Sequence, residues 1–195
     1  MENIIETLTA QEKENLIAKK VMKNTTIFHE GDHCSSIGII KTGHVVISSF
    51  SLTGKEIIYN SLYDNQMFGN NLIFSSDPYY KGDVIAKDNS EIIFINKEQL
   101  ITLLTKNKNF LNIYLMYESD FAKKLNATIK LLSFDSAYER FLYYMEINNN
   151  YIKIKSITSL ANILQLSRET LSRLIHKLKK DNNIIITNKN IRLVK

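Results

Sequence analysis

Arg168, Glu169, Ser172, Arg173, His176, Lys177 and Lys180 recur at spacings that would place them on one side of a helix. These residue types can read nucleic-acid bases. Arginine donates two hydrogen bonds to a guanine edge and glutamate accepts from the cytosine amino group, each good pair contributing about 1–3 kcal/mol of discrimination. Glu169 is informative because it would oppose a purely electrostatic grip on phosphate. The plainer alternative is a solvated helix face on which Glu169 and Arg173 form an ordinary i,i+4 pair. A second chemistry is metal binding in a jelly-roll enzyme, for which His29, Glu30, His33 and His44 are the candidates. Their spacing does not place two histidines on one strand face in the usual alternation, which weighs against it. The single cysteine, Cys34, cannot close an internal disulfide or hold an iron–sulfur cluster, and reads as a structural residue.

The elements that must carry the polar face follow from periodicity. Leu171, Leu174, Ile175 and Leu178 fall at the spacing of one buried helix face, and Ser167 stands where an N-cap would. Just upstream, Thr158 can cap a short helix containing Leu160, Ala161, Ile163 and Leu164. Two short helices joined by so tight a turn form a helix-turn-helix. Ser136-Ala137-Tyr138-Glu139 is a capping box that opens an earlier helix with Tyr138, Phe141, Leu142 and Met145 on one face, and it marks a hinge after Phe134.

Further upstream, Leu111, Leu115, Glu118, Ala122, Leu125, Ile129 and Leu132 recur at alternating four- and three-residue steps, the spacing of a coiled-coil seam. Phe110, Tyr114, Tyr117 and Phe121 run beside them, so one face would pack on the chain's own β-domain and the other on a second copy. The alternative is a core helix without a dimer, which Glu118 in the seam favours. From Thr25 to Asn96, short β-rich runs alternate with turns such as Glu30-Gly31-Asp32, Lys41-Thr42-Gly43 and Thr53-Gly54-Lys55, the pattern of a β-sandwich or barrel. Five of the six glycines fall in these turns or in Gly69 and Gly82, and Gly38 alone lies inside a strand-like run.

The 195 residues suffice for two small domains, each with a core of its own. The net charge of +5 is uneven: from Ser136 onward eleven basic residues face four acidic ones, a net of +7, and the remainder carries −2. This asymmetry points to a polyanion meeting the C-terminal end. No apolar run approaches the ~20 residues needed to span a bilayer. The acidic start, Met1-Glu2-Asn3-Ile4-Ile5-Glu6, is unlike a secretory signal, so a cytoplasmic location without membrane contact is expected.

Ser167-Arg168-Glu169-Thr170-Leu171-Ser172-Arg173 resembles the recognition-helix motif of the Crp/Fnr family of bacterial transcription regulators. The turns His29-Glu30-Gly31-Asp32, Ile40-Lys41-Thr42-Gly43 and Thr53-Gly54-Lys55-Glu56 resemble that family's β-roll, and Leu132-Ser133-Phe134 with Arg140 resembles its hinge. The resemblance implies an α+β architecture: a β-roll of the cyclic-nucleotide-binding jelly-roll type over 1–107, a dimerisation helix over 108–134 and a winged helix-turn-helix over 135–195. It implies a homodimer that binds double-stranded DNA and works with RNA polymerase, and it implies no enzyme activity.

By the same resemblance Arg168, Glu169 and Arg173 read bases in TGTGA-like half-sites of a pseudo-palindrome, with Ser172, His176 and Lys177 beside them. Ser167 contacts phosphate, as do Lys189 and Arg192 from a wing over Ile184 to Leu193. Gln165 departs from a frequent glycine, at a cost of roughly 1–2 kcal/mol if the turn needs positive φ. The dimer contacts are Leu111, Leu115, Ala122, Leu125, Ile129 and Leu132.

The effector pocket corresponds to Gly69, Asn70, Tyr80, Lys81, Leu125 and Asn126. There Asn70 replaces the glutamate that holds a ribose, Tyr80-Lys81 the Arg-Ser pair that holds a phosphate, and Leu125-Asn126 the Thr-Ser pair that meets adenine. Cyclic AMP is therefore not the expected effector, since a lysine lacks the bidentate grip of arginine. A haem-based gas sensor of the same fold is the alternative, with His29, His33, His44 and Met67 as candidate axial ligands and otherwise ordinary turn or surface residues. Phe68, Phe74, Tyr79 and Tyr80 would line an apolar effector pocket or simply a core.

Overall fold

The computed structural model describes residues 3–54 and 56–194. Lys55 of the turn Thr53-Gly54-Lys55, Met1 and Glu2 of the acidic start, and the terminal Lys195 lie outside the described residues. The chain forms two compact units, Met1–Ser119 and Asp120–Lys195.

The first unit opens with a 3-10 turn, Ile4–Thr7, and helix α1, Ala10–Glu14, whose capping box pairs Thr9 with Glu12. Strands β1 (Ile17–Val21), β2 (Thr26–Phe28), β3 (Ser36–Thr42), β4 (Val45–Phe50), β5 (Glu56–Leu62), β6 (Met67–Phe68), β7 (Asp83–Ala86) and β8 (Ser90–Asn96) follow. They form two four-stranded antiparallel sheets, ordered β1-β8-β3-β6 and β2-β7-β4-β5. The inner positions are β-branched: in β3 and β8, Ile37 pairs with Ile95 and Ile39 with Ile93, and all four are buried. Gly38, the glycine inside a strand, is explained by its neighbours. It pairs with Phe68 and Phe94, and a Cβ built on it would lie 2.1 Å from the Phe68 ring.

Helix α2 (Lys97–Lys106) is capped reciprocally by Asn96 and Gln99, and α3 (Lys108–Leu132) follows after a single residue. Within the first unit, Phe110, Ile113, Tyr114 and Tyr117 of α3 are buried in the β-roll core, and the Tyr117 hydroxyl donates to the carbonyl of Asn65 at 2.5 Å.

The second unit contains the end of α3, then α4 (Ala137–Ile147), β9 (Tyr151–Lys153), α5 (Ile157–Ile163), α6 (Arg168–Lys180), β10 (Ile184–Thr187) and β11 (Asn190–Leu193). The Ser136–Glu139 capping box opens α4 as the sequence implies. On α4, Phe141 and Met145 are buried and Leu142 is half-buried, but Tyr138 is exposed, because the first turn of the helix lies at the edge of the core. The core joins Leu131, Phe141, Met145, Leu160, Leu171, Ile175 and Leu178 to Ile152, Ile184 and Ile191 of a three-stranded antiparallel sheet ordered β10-β11-β9. This is a winged helix-turn-helix. One cap is corrected: α5 begins at Ile157 and its N-cap is Ser156, whose Oγ accepts from the Ser159 amide at 3.0 Å. Thr158 is inside the helix. The extended backbone of Ser156 (φ −161°, ψ 164°) suits a cap.

Replacing Gly38 by alanine forces the Phe68 ring to move, and we expect it to lower the unfolding free energy by about 1–3 kcal/mol in chemical denaturation. Phe68→Leu in the same background should recover part of that loss; a cost for Gly38→Ala near zero would contradict the close approach.

Candidate nucleic-acid interface

Helix α6 separates its two faces sharply. Leu171, Ile175 and Leu178 are buried and Leu174 is half-buried, while Arg168, Glu169, Ser172, Arg173, His176 and Lys177 are all exposed. Ser167 caps the helix: its Oγ accepts from the Thr170 amide at 3.0 Å and lies 2.8 Å from the Thr170 hydroxyl. The positive end of the helix dipole lies beside exposed Arg168, a disposition that favours an anion. Glu169 and Arg173 approach to 3.9 Å with both side chains 83% exposed. A pair so open is worth only a few tenths of a kcal/mol, so both groups remain available to a ligand.

The turn between α5 and α6 is set by Gln165, whose φ is +52° and whose Nε2 donates to the Asn162 carbonyl at 3.0 Å. Glutamine thus occupies the left-handed position that glycine prefers. The wing hairpin turns through Asn188 (φ +45°) and Lys189 (φ +67°). Two positive φ values identify the two-residue turn that matches strand twist, usually Asn-Gly. A lysine at the second position costs about 1 kcal/mol in backbone strain and sets an exposed ammonium at the tip.

Arg192 is also exposed, in register with Ile185 and Tyr151 across the sheet. The next row out is Thr187, Asn190 and Lys153. Lys153 thus adds an exposed cation beside the wing that the sequence reading did not include. The signal was the alternation in Tyr151-Ile152-Lys153-Ile154, where Ile152 is buried and Ile154 half-buried, which turns Lys153 outward.

Of the residues assigned to an effector pocket, the first unit brings Gly69, Asn70 and Tyr80 together. Tyr80 is 2% exposed, its ring stacks on Phe28 with centroids 4.8 Å apart, and its hydroxyl lies 3.6 Å from the Cys34 thiol. Burial pushes the Tyr80 phenol and the Cys34 thiol above their ordinary pKa ranges, so both are neutral and the thiol is a poor nucleophile. A Cβ at Gly69, where φ is +79°, would lie 3.0–3.1 Å from the Ser36 carbonyl, the Tyr80 hydroxyl and the Cys34 sulfur. The side chain of Asn70 is engaged, donating to Glu118 at 2.6 Å. Lys81 turns to solvent and pairs with Asp77 at 2.6 Å. Leu125 and Asn126 belong to the second unit and are exposed. At the positions to which the resemblance assigns a ribose and a phosphate, Asn70 is bonded to Glu118 of α3 and Tyr80 is buried and neutral, so the side chains there do not fit a cyclic nucleotide.

The haem-ligand candidates each have other neighbours. His29 lies 3.7 Å from Asp83, His33 meets the edge of Tyr79, His44 stacks on Tyr63 at 4.4 Å, and Met67 is buried in the sheet. Among the described residues, no three of His, Cys, Asp and Glu form a metal set, and no helix is long and apolar enough to cross a membrane.

Comparison with known proteins agrees with this architecture. Residues 18–107 match the cyclic nucleotide-binding domain family. The chain is 22% identical over 179 residues to the anaerobic regulatory protein of Bacillus subtilis (strain 168), covering 86% of this chain and 75% of that one. Its fold resembles that of a CooA variant from Carboxydothermus hydrogenoformans, with TM-score 0.72 and 17% identity over 98% of this chain and 91% of the other. A putative regulator of the Crp/Fnr family from Eubacterium rectale matches with TM-score 0.55 and 20% identity over 100% and 95% of the two chains. The matched domain corresponds to the β-roll described above, and the Bacillus subtilis and Eubacterium rectale proteins are named as regulators. In sequence and fold the chain is similar to regulators of the Crp/Fnr family.

Ser167→Ala should destabilise the protein by about 1 kcal/mol through loss of the cap. Gln165→Gly should stabilise it by about 0.5–1 kcal/mol by relieving the left-handed backbone. Thermal unfolding of the two variants reads both signs, and a destabilising Gln165→Gly would contradict the turn geometry.

Proposed function

We propose that the chain is a homodimeric regulator that reads a pseudo-palindromic DNA site with TGTGA-like half-sites. The observation that carries this reading is the mixed-charge face at the start of α6, where an acid stands between two arginines on the exposed side of a helix buried by its opposite face. Arg168 and Arg173 donate to guanine edges and Glu169 accepts from cytosine, while Ser172, His176 and Lys177 lie along the groove. Phosphates on either side are met by the capped start of α6 at Ser167 and by Lys189, Arg192 and Lys153 of the wing.

The dimer forms through the outward stripe of α3. Leu115, Leu125, Ile129 and Leu132 are 52%, 46%, 65% and 42% exposed, and Ala122 shares their face. Leu111, half-buried, starts the stripe. Apolar side chains repeating at coiled-coil spacing support a second copy as their cover. Two-fold pairing sets the half-sites about one helical turn, ~34 Å, apart. The effector is not cyclic AMP, for the reasons of packing and charge given above.

Selection of bound sequences from a random DNA pool tests the reading directly, and absence of any two-fold motif would refute it. Glu169→Ala should relax preference at one base position of each half-site. Lys189→Ala should weaken all sequences alike and lower the salt dependence by about one unit of slope. For the dimer, Leu125→Glu with Ile129→Glu should give monomers in sedimentation and cost most of the affinity for the paired site; a dimer that survives both charges would place the interface elsewhere.

A further inference from the structure

Arg140 lies between two segments distant in sequence. Its Nε donates to the Phe134 carbonyl at 2.9 Å and Nη2 to that of Leu132 at 3.5 Å. Nη1 donates to the carbonyls of Leu164 and Gln165 at 3.4 and 3.3 Å. Leu132 is the last residue of α3, and Leu164 is the C-cap of α5. Two helix C-termini, each with carbonyls lacking intrahelical partners and a negative dipole end, therefore share one permanent cation. The planar fork of a guanidinium can reach both at once, whereas an ammonium is a single point.

The neighbourhood holds the same parts still. Leu131 is 4% exposed in the core with Phe141, the Phe134 ring lies 5.3 Å from that of Tyr143, and the Lys130 ammonium stands 4.9 Å over the Tyr143 ring. Gln165, on the other side of the guanidinium, is the left-handed residue two positions before the cap of α6. The loop between α3 and α4 is thus fastened to the turn that aims the recognition helix.

We propose that Arg140 is a positioning residue that joins the end of α3 to α6, so that pairing of the α3 helices fixes the half-site spacing the protein accepts. The proposal rests on the DNA-reading function above. In it, a change at one end of the guanidinium is transmitted to the other, and the tip of α3 and the recognition helix move together.

Arg140→Gln removes the charge and most of the donors, and Arg140→Lys keeps the charge without the fork. Affinities of the full-length protein and both variants are measured for the selected site and for the same site with two base pairs inserted between its halves. Misphasing the halves removes one set of contacts, so the wild type should lose about thirtyfold or more, and Arg140→Gln less than about fivefold. A role confined to stability would lower affinity for both sites and leave that ratio unchanged, which overturns the proposal.

Amide hydrogen exchange without DNA supplies the independent arm. The Ser133 amide bonds to Ile129 and the Leu166 amide to Ala161, at 3.0 and 2.9 Å. Arg140→Gln should speed exchange at both by about tenfold, and Arg140→Lys by less. Faster exchange on one side only, or on neither, sinks the coupling whatever the DNA result. If the wild type selects no two-fold site, the DNA-reading function and the spacing consequence fail together, and the exchange arm still decides whether Arg140 joins the two segments. Should Arg140→Gln fail to unfold cooperatively, Arg140→Lys carries both assays, with a spacing penalty between those expected of the other two proteins; an unchanged penalty refutes the proposal.

Discussion

One helix contributes to two hydrophobic cores, and each unit is built around its own share of it. Near its start, α3 places Phe110, Ile113, Tyr114 and Tyr117 in the core of the β-roll, and near its end Leu131 enters the core of the winged helix. Burying an aromatic or leucine side chain stabilises by about 1.5–3 kcal/mol, so neither end can be released cheaply. The 25 residues between Lys108 and Leu132 cannot also bury the outward stripe within the same chain: Leu115, Leu125, Ile129 and Leu132 stay in solvent. A helix with this much unpartnered apolar surface is a cost to the monomer, and that cost is what a partner helix would relieve.

In the β-roll, the positions that the resemblance assigns to a ligand are occupied by the protein's own contacts. Tyr80 contributes a large buried ring, stacked on Phe28, and its hydroxyl finds the Cys34 thiol instead of water. Asn70 makes the other substitution consequential, because its amide is bonded to Glu118 of α3. Glu118 is half-buried, and an isolated carboxylate there would be costly; the short bond from Asn70 offsets part of its lost hydration. The same bond accounts for a charge in an otherwise apolar seam, where the sequence alone left open whether the helix pairs at all.

What could be read from the sequence was whatever depends on near neighbours. The buried face of α6, its cap at Ser167 and the Ser136–Glu139 box each involve residues three or four apart, so periodicity and capping chemistry place them. The failures have the same origin. Thr158 and Ser156 are both acceptable caps by type, and only the extended backbone at Ser156 separates them. Tyr138 fits an apolar face by spacing and is exposed because the core ends below it. The Tyr80–Phe28 stack and the Asn70–Glu118 bond join residues some fifty positions apart, for which one sequence holds no local signal. Gly38 lay between these cases: a glycine in a strand announces a close approach, but Phe68 as the approaching group needed the sheet register.

The second unit also contains choices that stability alone would not favour. Lys189 occupies a backbone conformation in which glycine or asparagine would cost less, and it carries a charge to the tip of a hairpin. Glu169 begins a helix where an acid is favourable to the dipole, yet it stands among exposed cations whose field would otherwise attract any polyanion without selection. A surface built only for solubility has no need of the first, and one built only to hold phosphate would be better without the second. Local strain argues for function when the strained residue presents a group that the less strained one lacks, as the ammonium of Lys189 does. An acid within a basic face argues for selectivity, because it lowers non-specific affinity while adding an acceptor that only some base edges can meet. Lys189 on the wing and Glu169 on α6 thus both support the DNA-reading function proposed for this unit.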